Sequence, residues 1–343
     1  MRAAVLYGKE DVRLEEVPLP AAGAGEVLVK IQAALTCGTD LKVFRAGSHA
    51  RMIRPPALFG HEFAGVIEAV GPGVSGWHPG MRVVAANSAP CGDCFYCRKE
   101  QPNLCQDLLF VNGAYAEYLR LPARVVQKNL LEIPADLPFQ AAAFTEPLAC
   151  VLRGIQAARP GPGETAVILG SGPVGLMFAQ LAAKAGARVI LLGKGPRRLR
   201  IAGSCGADTV LNLADLKDPV SAAREATPEG RGADLVIEAV GRPAAWGQAL
   251  EIVRPGGRVL LFGGCPAGTQ VPLDAGRVHY DELTLLSVFH HTPAAIRQSL
   301  RLIAGGEIRT EPLITGQAPL KELPSILRQM LADQDSIKTA ITP

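Results

Sequence analysis

The chain has 343 residues, a length that predicts two domains and not a single hydrophobic core. Hydrophobic residues make up 48% and charged residues 20% of it, which is typical of a folded globular protein and excludes a disordered one. The net charge of +3 and the lack of an apolar stretch of roughly 20 residues argue against a nucleic-acid partner and against a membrane partner.

The start of the chain predicts short strands separated by turns. Residues 1 to about 35 alternate apolar and polar positions, as in Glu26–Ile31, and the pattern resumes at Phe63–Gly71 and Gly80–Ala85. We therefore expect an all-β, barrel-like first domain. The first residues have only a short apolar run before charges intervene, which is a poor secretory signal, so we expect a cytoplasmic protein.

Three candidate metal ligands lie in this region. Cys37 follows one of the predicted strands, and His61 and Glu62 come about twenty-five residues later. A thiolate, an imidazole and a carboxylate are the donors of a catalytic zinc site that keeps one position open for water or substrate. The three residues therefore predict an open zinc site.

A second cysteine pattern follows with the spacing C-x2-C-x2-C-x7-C. Its members are Cys91, Cys94, Cys97 and Cys105, within a segment of about 88–108. Four thiolates so close in sequence can surround one tetrahedral, structural zinc ion. An iron–sulfur cluster usually has other spacings, and a nucleic-acid-binding zinc ribbon would want a basic face, whereas acidic and basic residues alternate here. Four unrelated buried thiols are the remaining alternative.

A glycine-rich loop marks a change of pattern in the second half. The apolar run Thr165–Leu169 leads into G-x-G-x-x-G, then a helical pattern and a second apolar run, Arg188–Leu192. This context is the one required of a dinucleotide-binding fold, in which backbone N–H groups approach a pyrophosphate. With further strands at Ala233–Glu238 and Gly257–Gly263, we predict a doubly wound parallel sheet. The loop residues predicted to bind the cofactor are Gly170, Gly172, Pro173, Val174 and Gly175.

The end of the second strand indicates which dinucleotide is bound. An Asp or Glu usually stands there and accepts hydrogen bonds from the adenosine ribose, but this chain has Gly193, followed by Lys194, Arg197 and Arg198. Three cations in place of a carboxylate favour a 2′-phosphate, so NADP is predicted over NAD. The alternative is that the two arginines are ordinary solvated helix residues.

Taken together, these motifs resemble those of the zinc-dependent medium-chain dehydrogenase/reductase family, in its alcohol, sorbitol and threonine dehydrogenase-like branch. The resemblance rests on motifs in the family's order across nearly the whole chain: Cys37–Asp40, Gly60–Glu62, the four cysteines, Thr145–Ala149 and the glycine loop. It implies an α/β protein with a GroES-like β-barrel catalytic domain over 1–150 and 289–343, and a Rossmann domain over 151–288. It also implies one catalytic and one structural zinc ion per chain.

The resemblance assigns roles to the residues near the predicted catalytic zinc. Cys37 and His61 would be ligands, Glu62 a third ligand that stays bound or moves away, and Glu146 the fourth group, binding directly or through water. Classical alcohol dehydrogenases have a cysteine at the position of Glu146. Cys150, four residues later, is the competing candidate for that fourth position, although a cysteine in an apolar stretch is usually only buried.

The resemblance also implies a path for the proton. Thr39 would hydrogen-bond the alcohol and take its proton, and Asp40 would orient His61. Many relatives have a histidine where this chain has Lys42, so the last step to solvent passes through Lys42, ribose hydroxyls or water. His290 and His291, which follow the strand from Leu283, could line the nicotinamide or substrate end of the cleft, but such histidines are more often surface or satisfied core residues, and they are not assigned to the site.

The predicted function is reversible hydride transfer between a secondary alcohol, polyol or sugar-like substrate and a nicotinamide cofactor. A zinc-free quinone or enoyl reductase of the same superfamily is an alternative, but it would not need both groups of metal ligands. A non-catalytic dinucleotide-binding protein is the other alternative, and it would hold at most one zinc ion. From the family's use of a late strand at the sheet edge, we expect a homodimer or homotetramer.

Overall fold

The computed structural model describes residues 1–49, 51–333 and 335–343. The strands are β1 (Arg2–Gly8), β2 (Asp11–Glu16), β3 (Val27–Leu35), β4 (Ala57–Leu58), β5 (Glu62–Val70), β6 (Arg82–Ala85), β7 (Ser88–Ala89), β8 (Leu109–Phe110), β9 (Tyr118–Leu121), β10 (Leu130–Glu132), β11 (Thr165–Leu169), β12 (Arg188–Gly193), β13 (Thr209–Asn212), β14 (Ala233–Glu238), β15 (Val253–Leu261), β16 (Thr284–Ser287), β17 (Ile314–Pro319) and β18 (Lys338–Thr342). The helices are α1 (Gly38–Ala46), α2 (Phe95–Arg98), α3 (Ala123–Asn129), α4 (Phe139–Ala142), α5 (Thr145–Ala158), α6 (Pro173–Lys184), α7 (Pro196–Ser204), α8 (Pro219–Glu225), α9 (Pro243–Ile252), α10 (Ala275–Tyr280), α11 (Pro293–Ala304) and α12 (Leu323–Ala332). Within these ranges no helix has both the length and the apolar character needed to cross a membrane.

The chain divides into two units. The first comprises Met1–Ala149 together with His291–Pro343, and the second comprises Cys150–His290. The long helix α5 begins in the first unit and ends in the second. The first unit is therefore built from both ends of the chain, with the second inserted between them.

Antiparallel strands form most of the first unit. Its large sheet has the order β10-β6-β5-β3-β18-β17, and β9 also pairs with β3. The central strand β3 is buried along most of its length, since it carries Val, Leu, Ile and Ala at nearly every position and is covered on both faces. A smaller sheet, β2-β1-β4, packs into the same hydrophobic core.

The register of β3 determines which residues meet at its carboxyl end. Leu35, the last residue of β3, pairs with Glu62 at the start of β5 and with Ala340 of β18. Both neighbours run antiparallel to β3, so residues just after Leu35 lie beside residues just before Glu62 and just before Ala340. This pairing brings Cys37, His61 and the first residue of β18 to one end of the sheet.

The second unit contains a six-stranded parallel sheet in the order β13-β12-β11-β14-β15-β16. Counted from β11 this is the order 3-2-1-4-5-6 of a doubly wound dinucleotide-binding sheet. The strand order reverses between β11 and β14, and the glycine loop directly follows β11 at that point. Ligands of such sheets bind outside the carboxyl ends of the strands where the order reverses.

Candidate active site

The start of helix α1 holds the side chain of Cys37 in place. Cys37 is the N-cap residue, and its Sγ accepts a hydrogen bond from the N–H of Thr39 at 3.4 Å. The carboxylate of Asp40 accepts the N–H of Cys37 at 3.2 Å, which completes a reciprocal capping arrangement. The cap therefore fixes the position of the Cys37 sulfur, and cysteine sulfur is a soft donor of the kind that binds zinc.

Cys37, His61 and Glu62 form one group of potential metal ligands. One donor atom from each lies within 4.8 Å of the others, and His61 and Glu62 are buried. Zinc–ligand bonds of 2.0–2.3 Å in tetrahedral geometry place ligand atoms about 3.3–3.8 Å apart, a spacing compatible with this group. The three residues that the sequence proposed as ligands are therefore brought together by the fold.

Asp40 and Tyr115 orient His61. Nδ1 of His61 is 2.9 Å from Oδ1 of Asp40, which leaves Nε2 as the other ring nitrogen for a metal. The buried hydroxyl of Tyr115 donates to Oδ2 of Asp40, and it is 3.1 Å from the carbonyl of Leu35. Burial lowers the pKa of His61, but the negative charges of Asp40 and Cys37 outweigh this effect and raise the pKa well above its ordinary value. The same charges favour a metal cation in this position.

Lys338 forms a buried ion pair with Glu62. Its ammonium group donates to Oε2 of Glu62 and, at 2.9 Å, to the carbonyl of Thr36, and it lies over the ring of Phe144. Burial lowers the pKa of Lys338, but the charges of Glu62 and Cys37 raise it, so the lysine stays charged. Oε1 of Glu62 is also buried and has no hydrogen-bond partner among the described residues. That oxygen is available to a metal ion.

The other predicted residues have the following burial and contacts. Thr39 is partly buried in the first turn of α1, and Lys42 is exposed one turn later. Glu146 is buried near the start of α5, where its Oε1 is 3.8 Å from Nε2 of His291. His291, which the sequence left unassigned, is buried and its Nε2 is 3.2 Å from Oδ1 of Asn87. The donor group of Cys37, His61 and Glu62 does not include Glu146, whose role as a fourth group stays a prediction.

The four cysteines of the segment 88–108 converge on one point. Their Sγ atoms lie within 4.8 Å of one another, and three of the pairs are 3.4–3.9 Å apart. A tetrahedron of Zn–S bonds of 2.3 Å gives S···S separations of about 3.8 Å. Backbone N–H groups of Cys91 and Gly92 donate to Sγ of Cys105 and Cys97, and N–H donors lower the pKa of Cys94 to about 6. The arrangement suits a closed, structural zinc ion.

In the second unit, the glycine loop connects β11 to α6. Gly170 has φ of +118°, and a Cβ on Gly175 would lie 1.9 Å from the carbonyl oxygen of Gly170, so both positions require glycine. Gly172 is the N-cap of α6, and its surroundings are open within 4 Å of where a Cβ would stand. Pro173 and Val174 form the partly exposed first turn. Free N–H groups with open space in front of them are what a pyrophosphate needs.

The cations that the sequence proposed for a 2′-phosphate follow β12. Gly193 is buried as its last residue, Lys194 and Arg197 are exposed, and Arg198 is partly exposed in α7. The side chain of Ser171, inside the glycine loop, hydrogen-bonds both backbone groups of Lys194. The loop and the end of β12 therefore form one connected structure.

Sequence reasoning missed three residues of these sites: Tyr115, Lys338 and Ser171. A lysine at the start of an apolar strand usually extends into solvent, and nothing near Lys338 in the sequence identifies Glu62 as its partner. Tyr115 stands in a small-residue segment without a metal-ligand motif, and Ser171 occupies a variable position of G-x-G-x-x-G. The sequence contains no local signal for these three contacts.

Comparisons with known proteins agree with this geometry. Residues 23–134 match the model described as "Alcohol dehydrogenase GroES-like domain", and residues 173–305 match "Zinc-binding dehydrogenase". The chain is 33% identical to an erythritol/L-threitol dehydrogenase of Mycolicibacterium smegmatis, with 100% of this chain and 98% of the relative covered. It is 35% identical to an L-threonine 3-dehydrogenase of Bacillus subtilis over 90% of this chain and 89% of the relative. An alcohol dehydrogenase from Thermus sp. ATN1 has a similar solved structure, with a TM-score of 0.88, 32% identity and 100% and 99% coverage.

Proposed function

Because this chain belongs to the zinc-dependent medium-chain dehydrogenase/reductase family and is an NAD(P)-dependent dehydrogenase of alcohols or polyols, we propose that Cys37, His61 and Glu62 hold its catalytic zinc. The predicted family, fold class and enzyme activity are thereby confirmed. The two alternatives, a zinc-free reductase and a non-catalytic dinucleotide-binding protein, are set aside because the relatives are alcohol, polyol and threonine dehydrogenases.

The observation that carries the proposed zinc site is the buried, unpartnered Oε1 of Glu62 beside a thiol and an imidazole. A buried carboxylate oxygen without a partner costs free energy of about 1–3 kcal/mol or more, and a bound cation removes that cost. Lys338 holds only the other oxygen, Oε2. The donor set therefore has one oxygen, one nitrogen and one sulfur atom for the metal, with room in a tetrahedron for a further ligand.

The chain's own residues would then carry the proton and orient the ligands. A bound zinc ion supplies positive charge that makes a nearby alcohol hydroxyl more acidic. Thr39, two residues from Cys37, would accept the proton of the substrate hydroxyl on its own hydroxyl oxygen. It would then donate its original hydroxyl proton to the next group in the relay. The last step to solvent would use Lys42, which is exposed one helical turn further, or else ribose hydroxyls or water. A dinucleotide held by the glycine loop, residues 170–175, would supply the oxidised nicotinamide that accepts the hydride of the carbinol carbon, so that the alcohol becomes a ketone or aldehyde. Glu146 completes the group, directly or through water.

Metal content and activity test these assignments together. We expect two zinc ions per chain in the wild type, and one in Cys37→Ala and His61→Ala, with turnover lost but cofactor binding kept. Cys205→Ala removes a buried thiol of the other unit and serves as the matched control, which should keep both zinc ions. Full activity or two zinc ions in Cys37→Ala would contradict the proposed site.

We further propose that the enzyme prefers NADP to NAD. The support is local: no carboxylate stands at Gly193, and Lys194, Arg197 and Arg198 follow it at the carboxyl end of β12. A 2′-phosphate adds close to two negative charges, which such cations attract, whereas the ribose hydroxyls of NAD lack the acceptor they usually have. The measurement is kcat/KM with each cofactor at a saturating alcohol concentration, and a clear preference for NAD would refute the proposal.

The substrate class is proposed to be a secondary alcohol, polyol or sugar-like molecule. The relatives' names, which include erythritol and L-threitol, support this class. A panel of tetritols, hexitols, simple secondary alcohols and L-threonine, each assayed with both cofactors, tests it. Higher kcat/KM for L-threonine than for every polyol would place the enzyme with the threonine dehydrogenases instead.

We also propose a homodimer or homotetramer in the cytoplasm. β16 is the last strand of the parallel sheet, so one of its edges is open to a second copy among the residues the structure describes. No disulfide bond joins any of the eight cysteines in the described residues, and thiols in this state are typical of a reducing compartment. Light scattering after size-exclusion chromatography measures the assembly, and a monomer at micromolar concentration would contradict it.

A further inference from the structure

Ser171 of the glycine loop lies against Gly193, the last residue of β12. A Cβ on Gly193 would lie 2.3 Å from Cβ of Ser171 and 2.4 Å from its Oγ. Real Cβ atoms do not approach other heavy atoms to less than 3.0 Å, so any residue larger than glycine at position 193 must displace Ser171. Gly193 is itself buried, which leaves it little freedom to move away.

Ser171 is held firmly where it stands. Its hydroxyl donates to the carbonyl of Lys194 at 2.7 Å and accepts the N–H of Lys194 at 3.1 Å. The neighbouring Gly170 donates its N–H to the carbonyl of Leu192 at 2.8 Å, so two successive loop residues are hydrogen-bonded to Leu192 in β12 and to Lys194 just after it. Ser171 is only 4% exposed, and another rotamer would leave a buried hydroxyl and two backbone groups without their partners.

From this contact we propose that Ser171 is a specificity-determining residue for the dinucleotide. Its side chain occupies the space in which an Asp or Glu at position 193 would begin, and so it excludes the carboxylate that would accept the ribose hydroxyls of NAD. Through the two hydrogen bonds to Lys194, it also fixes the backbone of the first cation proposed to meet a 2′-phosphate. The cofactor consequence rests on the proposed NADP preference, whereas the steric coupling between positions 171 and 193 does not.

The coupling predicts that the two positions change together. Gly193→Asp alone places a side chain against Ser171 and should lower the unfolding temperature of the cofactor-free protein by about 5 °C or more. Ser171→Gly removes both close contacts and leaves the backbone N of residue 171 at 3.1 Å, a distance that a small shift can relieve. The double variant Ser171→Gly/Gly193→Asp should therefore recover at least half of the lost unfolding temperature.

Cofactor affinity provides the second measurement. The dissociation constants of NADPH and NADH, measured by fluorescence titration, should shift towards NADH by about tenfold or more in the double variant and much less in Gly193→Asp alone, since about 1.4 kcal/mol of new hydrogen bonding is a factor of ten. Ser171→Ala/Gly193→Asp is the matched control. It keeps the Cβ of residue 171 and removes only the hydroxyl, so it should recover less unfolding temperature than the glycine double variant.

The outcomes separate the steric proposal from the NADP preference. Additive effects of the two single substitutions on unfolding temperature and on affinity would overturn the proposed role of Ser171. If Gly193→Asp yields no folded protein, Gly193→Ala, which adds the Cβ alone, takes its place with and without Ser171→Gly. A wild type that binds NADH more tightly than NADPH would refute the NADP preference, and the unfolding temperatures would still decide the coupling.

Discussion

Removing the charge of Lys338 is the most direct test of how the ion pair between Lys338 in β18 and Glu62 in β5 supports the candidate metal centre. In Lys338→Met the aliphatic stem stays and the ammonium group is lost, so Glu62 keeps a buried carboxylate without its cation. Both side chains are about 1% exposed or less, and solvent therefore cannot replace the lost partner. Breaking a buried ion pair by removal of one member costs about 3–5 kcal/mol. At about 2–4 °C per kcal/mol for a domain of this size, the unfolding temperature should fall by about 6–20 °C.

Differential scanning calorimetry in zinc-containing buffer measures this fall. Lys321→Met, which removes an exposed lysine from the same unit, is the matched control and should change the unfolding temperature by less than about 2 °C. Adding Glu62→Gln to Lys338→Met removes the second charge and should recover part of the loss, because no unpaired ion is then buried. If Lys338→Met is as stable as the Lys321 control, the ion pair does not hold β18 to β5 and the reasoning fails.

Three further predictions concern other contacts. Tyr115→Phe removes the hydroxyl that donates to Asp40 and should lower kcat/KM or zinc affinity at the candidate centre by about tenfold, and unchanged values of both would refute its positioning role. Burial raises the pKa of Asp234, but the N–H of Thr165 and the guanidinium of Arg254 outweigh this and lower the pKa below its ordinary value. Its stabilising effect, about 1 kcal/mol after solvent screening, is therefore complete above the unfolded pKa and is lost as the pH falls. The difference in unfolding temperature between wild type and Asp234→Asn should accordingly be constant from pH 6 to 8 and shrink below about pH 4. Cys105→Ser should lose one zinc ion per chain by elemental analysis while the other remains, and retention of both would contradict a four-thiolate site.

Local sequence patterns determined much of this protein. The four cysteines lie within fifteen residues, so their spacing alone limits how far apart the thiols can be, and the structure brings them together. The same holds for the glycine loop, because Gly170 and Gly175 are required by the backbone of one tight turn between a strand and a helix. In each case the interacting groups are neighbours in the chain, and short-range geometry leaves few other arrangements.

Contacts between distant segments were decided only by the tertiary structure. Lys338 reaches Glu62 across 276 residues because β18 and β5 flank β3 in a particular register, and a shift of one residue would turn its side chain to the opposite face. Similarly, Ser171 constrains Gly193 because β12 lies beside β11 in the parallel sheet. Hydrophobic periodicity predicts that such strands exist but not which strands become neighbours, since any buried partner satisfies the same apolar face. The ligand types of the candidate metal centre could thus be read from the sequence, while the residues that orient and neutralise those ligands required the fold.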